Sequence, residues 1–196
     1  STLSARAAAD FAYAAFDIPP PQSTRLVSRG FNDVYEIDGL YLRIGRNGRR
    51  SVADAEAEAL ALSELVGAGV PVASAWPGRD GRFAQAITLA EGERSVLLFD
   101  AASGVQPGNT AEHAYAQGVA LARMHVATLG KSTAERLRRL DLEFLVDRSV
   151  DLVASQLPHR ADLVGQLREV ANRIRAHVPQ DLSVGLCHGD CHGWNA

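Results

Sequence analysis

The dipeptide Asp38-Gly39, set between Val34–Ile37 and Leu40–Ile44, is the feature that most constrains what this chain can fold into. Two β-forming runs joined by Asp-Gly specify an antiparallel hairpin, because the turn that matches strand twist needs two residues at positive φ. A further β-forming run, Leu26–Ser28, precedes the hairpin. From Ser51 to Val66 the composition turns to Ala, Glu and Leu, with Leu62, Leu65 and Val66 at helical spacing, and Gly67-Ala68-Gly69 followed by Pro71 ends the helix. Two more strands are expected at Phe83–Thr88 and Ser95–Phe99, with Glu91-Gly92-Glu93 as the turn between them.

The flanks of this block read differently. Residues 3–16 carry Leu3, Ala7, Phe11, Ala14 and Ala15 near helical spacing, closed by Asp17-Ile18-Pro19-Pro20-Pro21. Residues 101–110 contain Gly104, Pro107, Gly108 and Asn109, and strand patterning then gives way to periodic apolar positions such as Val119, Leu121, Met124 and Val126. Helices are expected at 111–129, 141–156 and 160–177. The predicted class is α+β: an N-terminal helix and linker (1–21), a first lobe of five antiparallel strands plus a helix (22–100), an interlobe linker (101–110), and a mainly helical lobe (111–196). There is no internal repeat or low-complexity tract.

A net charge of -3 gives no broad attraction to nucleic acid or to an anionic membrane surface. Apolar runs such as Val96–Phe99 are too short to cross a bilayer, and the first residues lack a basic stretch followed by an apolar core. The two cysteines, Cys187 and Cys191, make a poor disulfide framework, so a cytoplasmic protein is expected.

Chemistry concentrates in His188-Gly189-Asp190-Cys191-His192-Gly193-Trp194-Asn195. Phosphoryl transfer to a hydroxyl needs a carboxylate that orients the nucleophile and accepts its proton, and an oxygen ligand for the metal that bridges the nucleotide phosphates. Asp190 and Asn195 supply these two groups, in the His-x-Asp…Asn order of kinase catalytic loops. Gly189 would let the backbone make the turn. The competing reading is a polar turn built from common turn residues. A zinc reading of Cys187, His188, Asp190, Cys191 and His192 fails for want of a second Cys/His pair at ligand spacing, and packing of both cysteines in the interior is expected instead. Trp194 reads as lobe packing, and His125 as a helix-end residue near the core.

The string HGDCHGWN resembles the catalytic motif of the aminoglycoside phosphotransferase and choline kinase superfamily, and its first five residues are similar to those of bacterial stress-response Ser/Thr kinases in that group. Arg29-Gly30-Phe31-Asn32-Asp33-Val34-Tyr35 resembles the nucleotide-covering hairpin, Tyr41-Leu42-Arg43-Ile44 the next strand, and Leu121–His125 the helix before the catalytic loop. The resemblance implies a protein-kinase-like two-lobed fold, ATP and Mg2+, and a hydroxyl-bearing acceptor, either a small aminoglycoside-, choline- or homoserine-like molecule or a protein Ser/Thr. It implies Asp190 as catalytic base, Asn195 as metal ligand, and Gly30 and Asn32 in the phosphate-covering turn, with main-chain groups of Phe99–Ala102 near the adenine. Where the family usually presents a Lys to the phosphates this chain has Arg43, with Glu58 as the expected partner and Glu56 as the competitor. The alternative for these charges is an exposed strand cation and a solvated helix face.

The family's second metal ligand, an Asp in a short strand beyond the catalytic loop, is not reached before Ala196, and neither are the substrate-binding helices that follow it. The resemblance is therefore to a phosphotransferase cut off just past its catalytic Asn, with uncovered apolar faces that favour self-association. The alternative function is a catalytically incompetent fragment that binds nucleotide or a partner.

Overall fold

The computed structural model describes residues 1–129, 137, 139–179, 181–182 and 185–191. The chain divides into two compact units, residues 1–137 with 185–196, and residues 138–184.

The first unit is built on a six-stranded antiparallel sheet: β1 (Thr24–Arg29), β2 (Asn32–Ile37), β3 (Leu40–Gly45), β4 (Ala75–Trp76), β5 (Gln85–Leu89) and β6 (Gly92–Asp100). The order is β1-β2-β3-β6-β4, and β5 also pairs with β6. The five expected strands are present, and the two-residue β4 is the addition. The hairpin forms where Asp38-Gly39 places it, with φ of 48° and 86° at the two residues. The Asp38 carboxylate accepts from the backbone N–H groups of Gln22 and Ser23 at 2.8 and 2.7 Å, tying the approach to β1 to the same turn. The β5–β6 turn falls one residue earlier than expected: Leu89 pairs with Gly92, so Ala90-Glu91 form the loop and Gly92, at φ 119°, opens β6.

Strand alternation gives the sheet two apolar faces. Tyr35, Ile37, Leu42, Ile44, Val96 and Leu98 point to one face, which is covered by helix α1 (Ala5–Ala15) through Ala8 and Ala12, with Phe16 and Ile18 beyond it. Leu97 and Phe99 point to the other, where Ala55 and Ala59 of helix α2 (Val52–Gly67) pack. The small residues of α2 let its backbone approach the sheet closely. Ser51 caps α2 in a capping box with Asp54, each side chain accepting from the other's backbone N–H.

Residues 101–110 carry no regular structure, and helix α3 (Ala111–Thr128), capped by Thr110, belongs to the same compact unit as the sheet. Met124 of α3 packs with Leu65 and Val70, the end of α2 and its following turn. The second unit contains a π-helical turn (Glu143–Asp147), and the Asp141 carboxylate just before it accepts from the Phe144 N–H at 2.9 Å. Helices α4 (Arg148–Gln156) and α5 (Ala161–His177) follow, burying Val150, Val164 and Ala171. Among the described residues no helix is long and apolar enough to cross a membrane.

Candidate functional site

Arg43 lies between Leu42 and Ile44, both buried in the face under α1, so its side chain projects to the opposite face, where α2 lies. In register with Leu97 on β6, it meets the ring of Phe99, whose centroid is 5.0 Å from the guanidinium carbon. Its Nη2 donates to Glu58 Oε2 at 2.8 Å, with about a quarter of each side chain exposed (26% and 22%). The same carboxylate oxygen also accepts from Nη1 of Arg50.

Helix geometry puts Glu56 and Glu58 on opposite flanks of α2, and their tertiary contacts decide which of them meets Arg43. At roughly 100° per residue, the stripe of Val52, Ala55, Ala59 and Leu62 that packs on the sheet has Glu56 on one flank and Glu58 on the other. Glu56 is engaged elsewhere, its Oε2 accepting from the Ala84 N–H at 2.6 Å.

The turn between β1 and β2 is closed by a hydrogen bond from the Gly30 N–H to the Asn32 carbonyl at 3.1 Å. Gly30 is not in the left-handed region, and a Cβ there would meet none of the described residues within 4 Å. Among the described residues, open space therefore lies beside it. Phe31 projects outward, 70% exposed, with the Arg49 guanidinium 5.5 Å from its ring centroid. Of the Arg29–Tyr35 segment only Gly30 and Phe31 lie between the strands: β2 begins at Asn32 and is flanked by both β1 and β3, so Asp33, Val34 and Tyr35 lie within the sheet.

Beneath this loop is a buried pair that sequence reasoning missed. Arg94, 5% exposed, donates from Nη2 to Asp33 Oδ2 at 2.9 Å, from Nε to the Gly45 carbonyl at 2.5 Å, and from Nη1 to the Ser1 carbonyl at 2.6 Å. The signal was present: Asp33 is in phase with Tyr35 and Ile37, and Arg94 with Val96 and Leu98, so two opposite charges occupy core-facing strand positions.

On the segment 185–191, Leu186 packs into the α2–α3 cluster and anchors the chain just before Asp190. Gly189 takes φ 80°, a conformation that disfavours any side chain and supports the expected turn. Asp190 is exposed. Cys187 and Cys191 are exposed free thiols, contrary to the expected packing, because only Leu186 of this segment reaches the apolar cluster. His125 is likewise exposed, its neighbour Met124 taking the buried position on α3. Asn195, together with His192 and Trp194, lies outside the described residues. Among the described residues no three His, Cys, Asp or Glu side chains converge as a metal site.

Residues 23–196 match the phosphotransferase enzyme family, APH. The chain belongs to this family. Its relatives include an uncharacterized protein of Deinococcus radiodurans, 32% identical over the whole chain, and the Synechocystis protein sll1119, 31% identical over the whole chain. The chain spans 59% and 57% of their respective lengths. Among solved structures it is similar to the spectinomycin phosphotransferase APH(9)-Ia in complex with ADP and spectinomycin, with a TM-score of 0.62 and 12% identity over 98% of this chain and 64% of that one. It is also similar to a microcompartment-associated aminopropanol kinase (TM-score 0.56, 24% identity, 70% of this chain and 46% of that one). A third, the amicoumacin kinase hAmiN in complex with AMP-PNP, Ca2+ and Ami, has a TM-score of 0.55 and 19% identity, over 81% of this chain and 54% of that one. These likenesses place this APH-family chain in the kinase-like fold.

Proposed function

We propose that this chain carries the nucleotide-binding sheet and catalytic loop of a phosphotransferase that moves the γ-phosphoryl group of ATP to the hydroxyl of a small molecule. The observation that carries the reading is the Arg43–Glu58 pair, a strand cation held by a helix carboxylate and stacked on Phe99. A guanidinium fixed in this way presents planar, permanently charged donors to phosphate oxygens without having to be ordered when the nucleotide arrives. The open space beside Gly30 leaves room for phosphate under the Gly30–Asn32 turn.

In this reading the acceptor hydroxyl oxygen bonds to the γ-phosphorus, the bond from that phosphorus to the β–γ bridging oxygen breaks, and ADP leaves with that electron pair. The hydroxyl proton passes to the Asp190 carboxylate, which the turn at Gly189 presents. Magnesium, when bound, would neutralise phosphate charge. Its expected ligand Asn195 supplies an oxygen donor of the kind a hard cation takes, but the described residues form no ligand cluster of their own. ATP chemistry and two free thiols fit the cytoplasm.

The three structural neighbours named above are kinases of small molecules by name, which favours a small alcohol over a protein acceptor for this chain too. The test is ATP consumption by the longest natural form of the protein, with magnesium titrated, against a panel of amino alcohols, aminoglycosides and choline-like compounds and a Ser/Thr protein substrate. Acceptor-dependent turnover with a small alcohol is the expected result. Turnover with the protein alone moves the acceptor class, and binding of ATP with no turnover on any acceptor supports a nucleotide-binding module instead.

A further inference from the structure

The loop between β3 and α2, Arg46-Asn47-Gly48-Arg49-Arg50-Ser51, places a second arginine on the carboxylate that holds Arg43. Two guanidinium groups therefore share one Glu58 oxygen, and the three side chains together carry a surplus positive charge. Arg43 is the more fixed of the two, with 26% of its side chain exposed and its plane against Phe99, while Arg50 is 60% exposed. The loop also borders the β1–β2 turn: Gly45, the last residue of β3 before it, pairs with Asn32, and Arg49 lies over Phe31. Arg50 thus stands where the phosphate-covering turn, the strand cation and its carboxylate meet.

We propose that Arg50 is a second phosphate-binding cation of this site, one that exchanges its contact with Glu58 for the β- and γ-phosphates of the nucleotide while Arg43 keeps its own. This rests on the reading of Arg43 and Glu58 as the phosphate-side pair. The charge arithmetic supports it: an Arg43–Glu58 pair alone is neutral, and a polyphosphate is better matched by a site with net positive charge. Arg50 is itself 60% exposed, so water or phosphate can take up its donors when it leaves Glu58, and the exchange costs little. Glu58 remains hydrogen-bonded to Arg43 throughout, so the exchange leaves no unpaired carboxylate.

The test compares ATP and AMP binding, by calorimetry, in the wild-type protein, Arg50→Gln, Arg50→Lys and Arg43→Ala, each shown to be folded by its thermal transition. Arg50→Gln should weaken ATP binding about tenfold, the scale of one charge-assisted contact, and leave AMP, which lacks the β- and γ-phosphates, nearly unchanged. Arg50→Lys should recover part of the loss, because it restores charge without the planar fork. Wild-type ATP affinity in Arg50→Gln with a loss in Arg43→Ala overturns the role of Arg50 and leaves the site reading standing. Wild-type affinity in both variants overturns the site reading as well. Equal losses of ATP and AMP in Arg50→Gln also overturn the proposal, since the effect would then not lie at the outer phosphates.

Discussion

Arg43 stands where a lysine would be expected, and its surroundings explain how an arginine is accommodated. Lysine offers a compact point charge on a flexible stem, whereas the guanidinium lies against the Phe99 ring and reaches Glu58 with a terminal nitrogen. Arg43→Lys should therefore weaken ATP binding by losing the aromatic contact and the fork, and Arg43→Ala should weaken it further. Because only about a quarter of each side chain is exposed, the pair is largely shielded from water and losing its carboxylate costs more than at an open surface. Glu58→Gln keeps an acceptor oxygen but not the charge, and is expected to cost about 1–3 kcal/mol in a denaturant titration while raising the ATP Kd. A large stability loss with unchanged ATP affinity would make Glu58 a structural residue. Strand alternation around Leu42 and Ile44 made the direction of Arg43 legible in the sequence. Glu58 could only be ranked against Glu56, because the two flank one apolar stripe and tertiary contacts alone separate them.

The elements were legible wherever backbone chemistry announces itself. Asp38-Gly39 announced the hairpin, and the turn to Ala, Glu and Leu at Ser51 announced α2, whose start is secured by the Ser51–Asp54 capping box. Ser51→Ala removes the side chain that accepts from the Asp54 N–H and should cost about 1 kcal/mol, read as a lower denaturation midpoint with unchanged slope. The two-residue β4 has no periodicity to detect, since it forms only because Ala75 and Trp76 lie beside Phe99 and Leu98 of β6. Exposure of the cysteines also escaped the sequence, because apolar character does not say which residues of a short irregular segment reach a core. The Arg94–Asp33 pair joins β2 to β6, and Arg94 also donates to β3 carbonyls. Arg94→Met leaves Asp33 buried without its charged partner and should cost about 3–5 kcal/mol. The double change Asp33→Leu with Arg94→Met should cost less than that single change, and a double variant no more stable than Arg94→Met would contradict this account.

At the scale of the whole molecule, family membership and the kinase-like fold agree with what HGDCHGWN and the strand-helix-strand order imply. The acceptor stayed illegible for a physical reason: Asp190 would act on any hydroxyl brought to it, so the loop specifies a reaction and not a partner. Large apolar side chains remain exposed on α3 and in the helical unit, among them Tyr115, Val126, Leu152 and Ile174. The 196-residue polypeptide by itself should therefore associate with rising concentration in sedimentation experiments, and a strictly monomeric chain would show that these side chains do not act as a sticky surface. The central claim is that Asp190 serves as the base in phosphoryl transfer. The most direct measurement is the rate of γ-phosphoryl transfer from labelled ATP to an accepted alcohol by the longest natural form of the protein and its Asp190→Asn variant, with ATP affinity measured in parallel. The account predicts a rate lower by about 100- to 10,000-fold at nearly unchanged ATP affinity. Wild-type-like transfer by Asp190→Asn would contradict it.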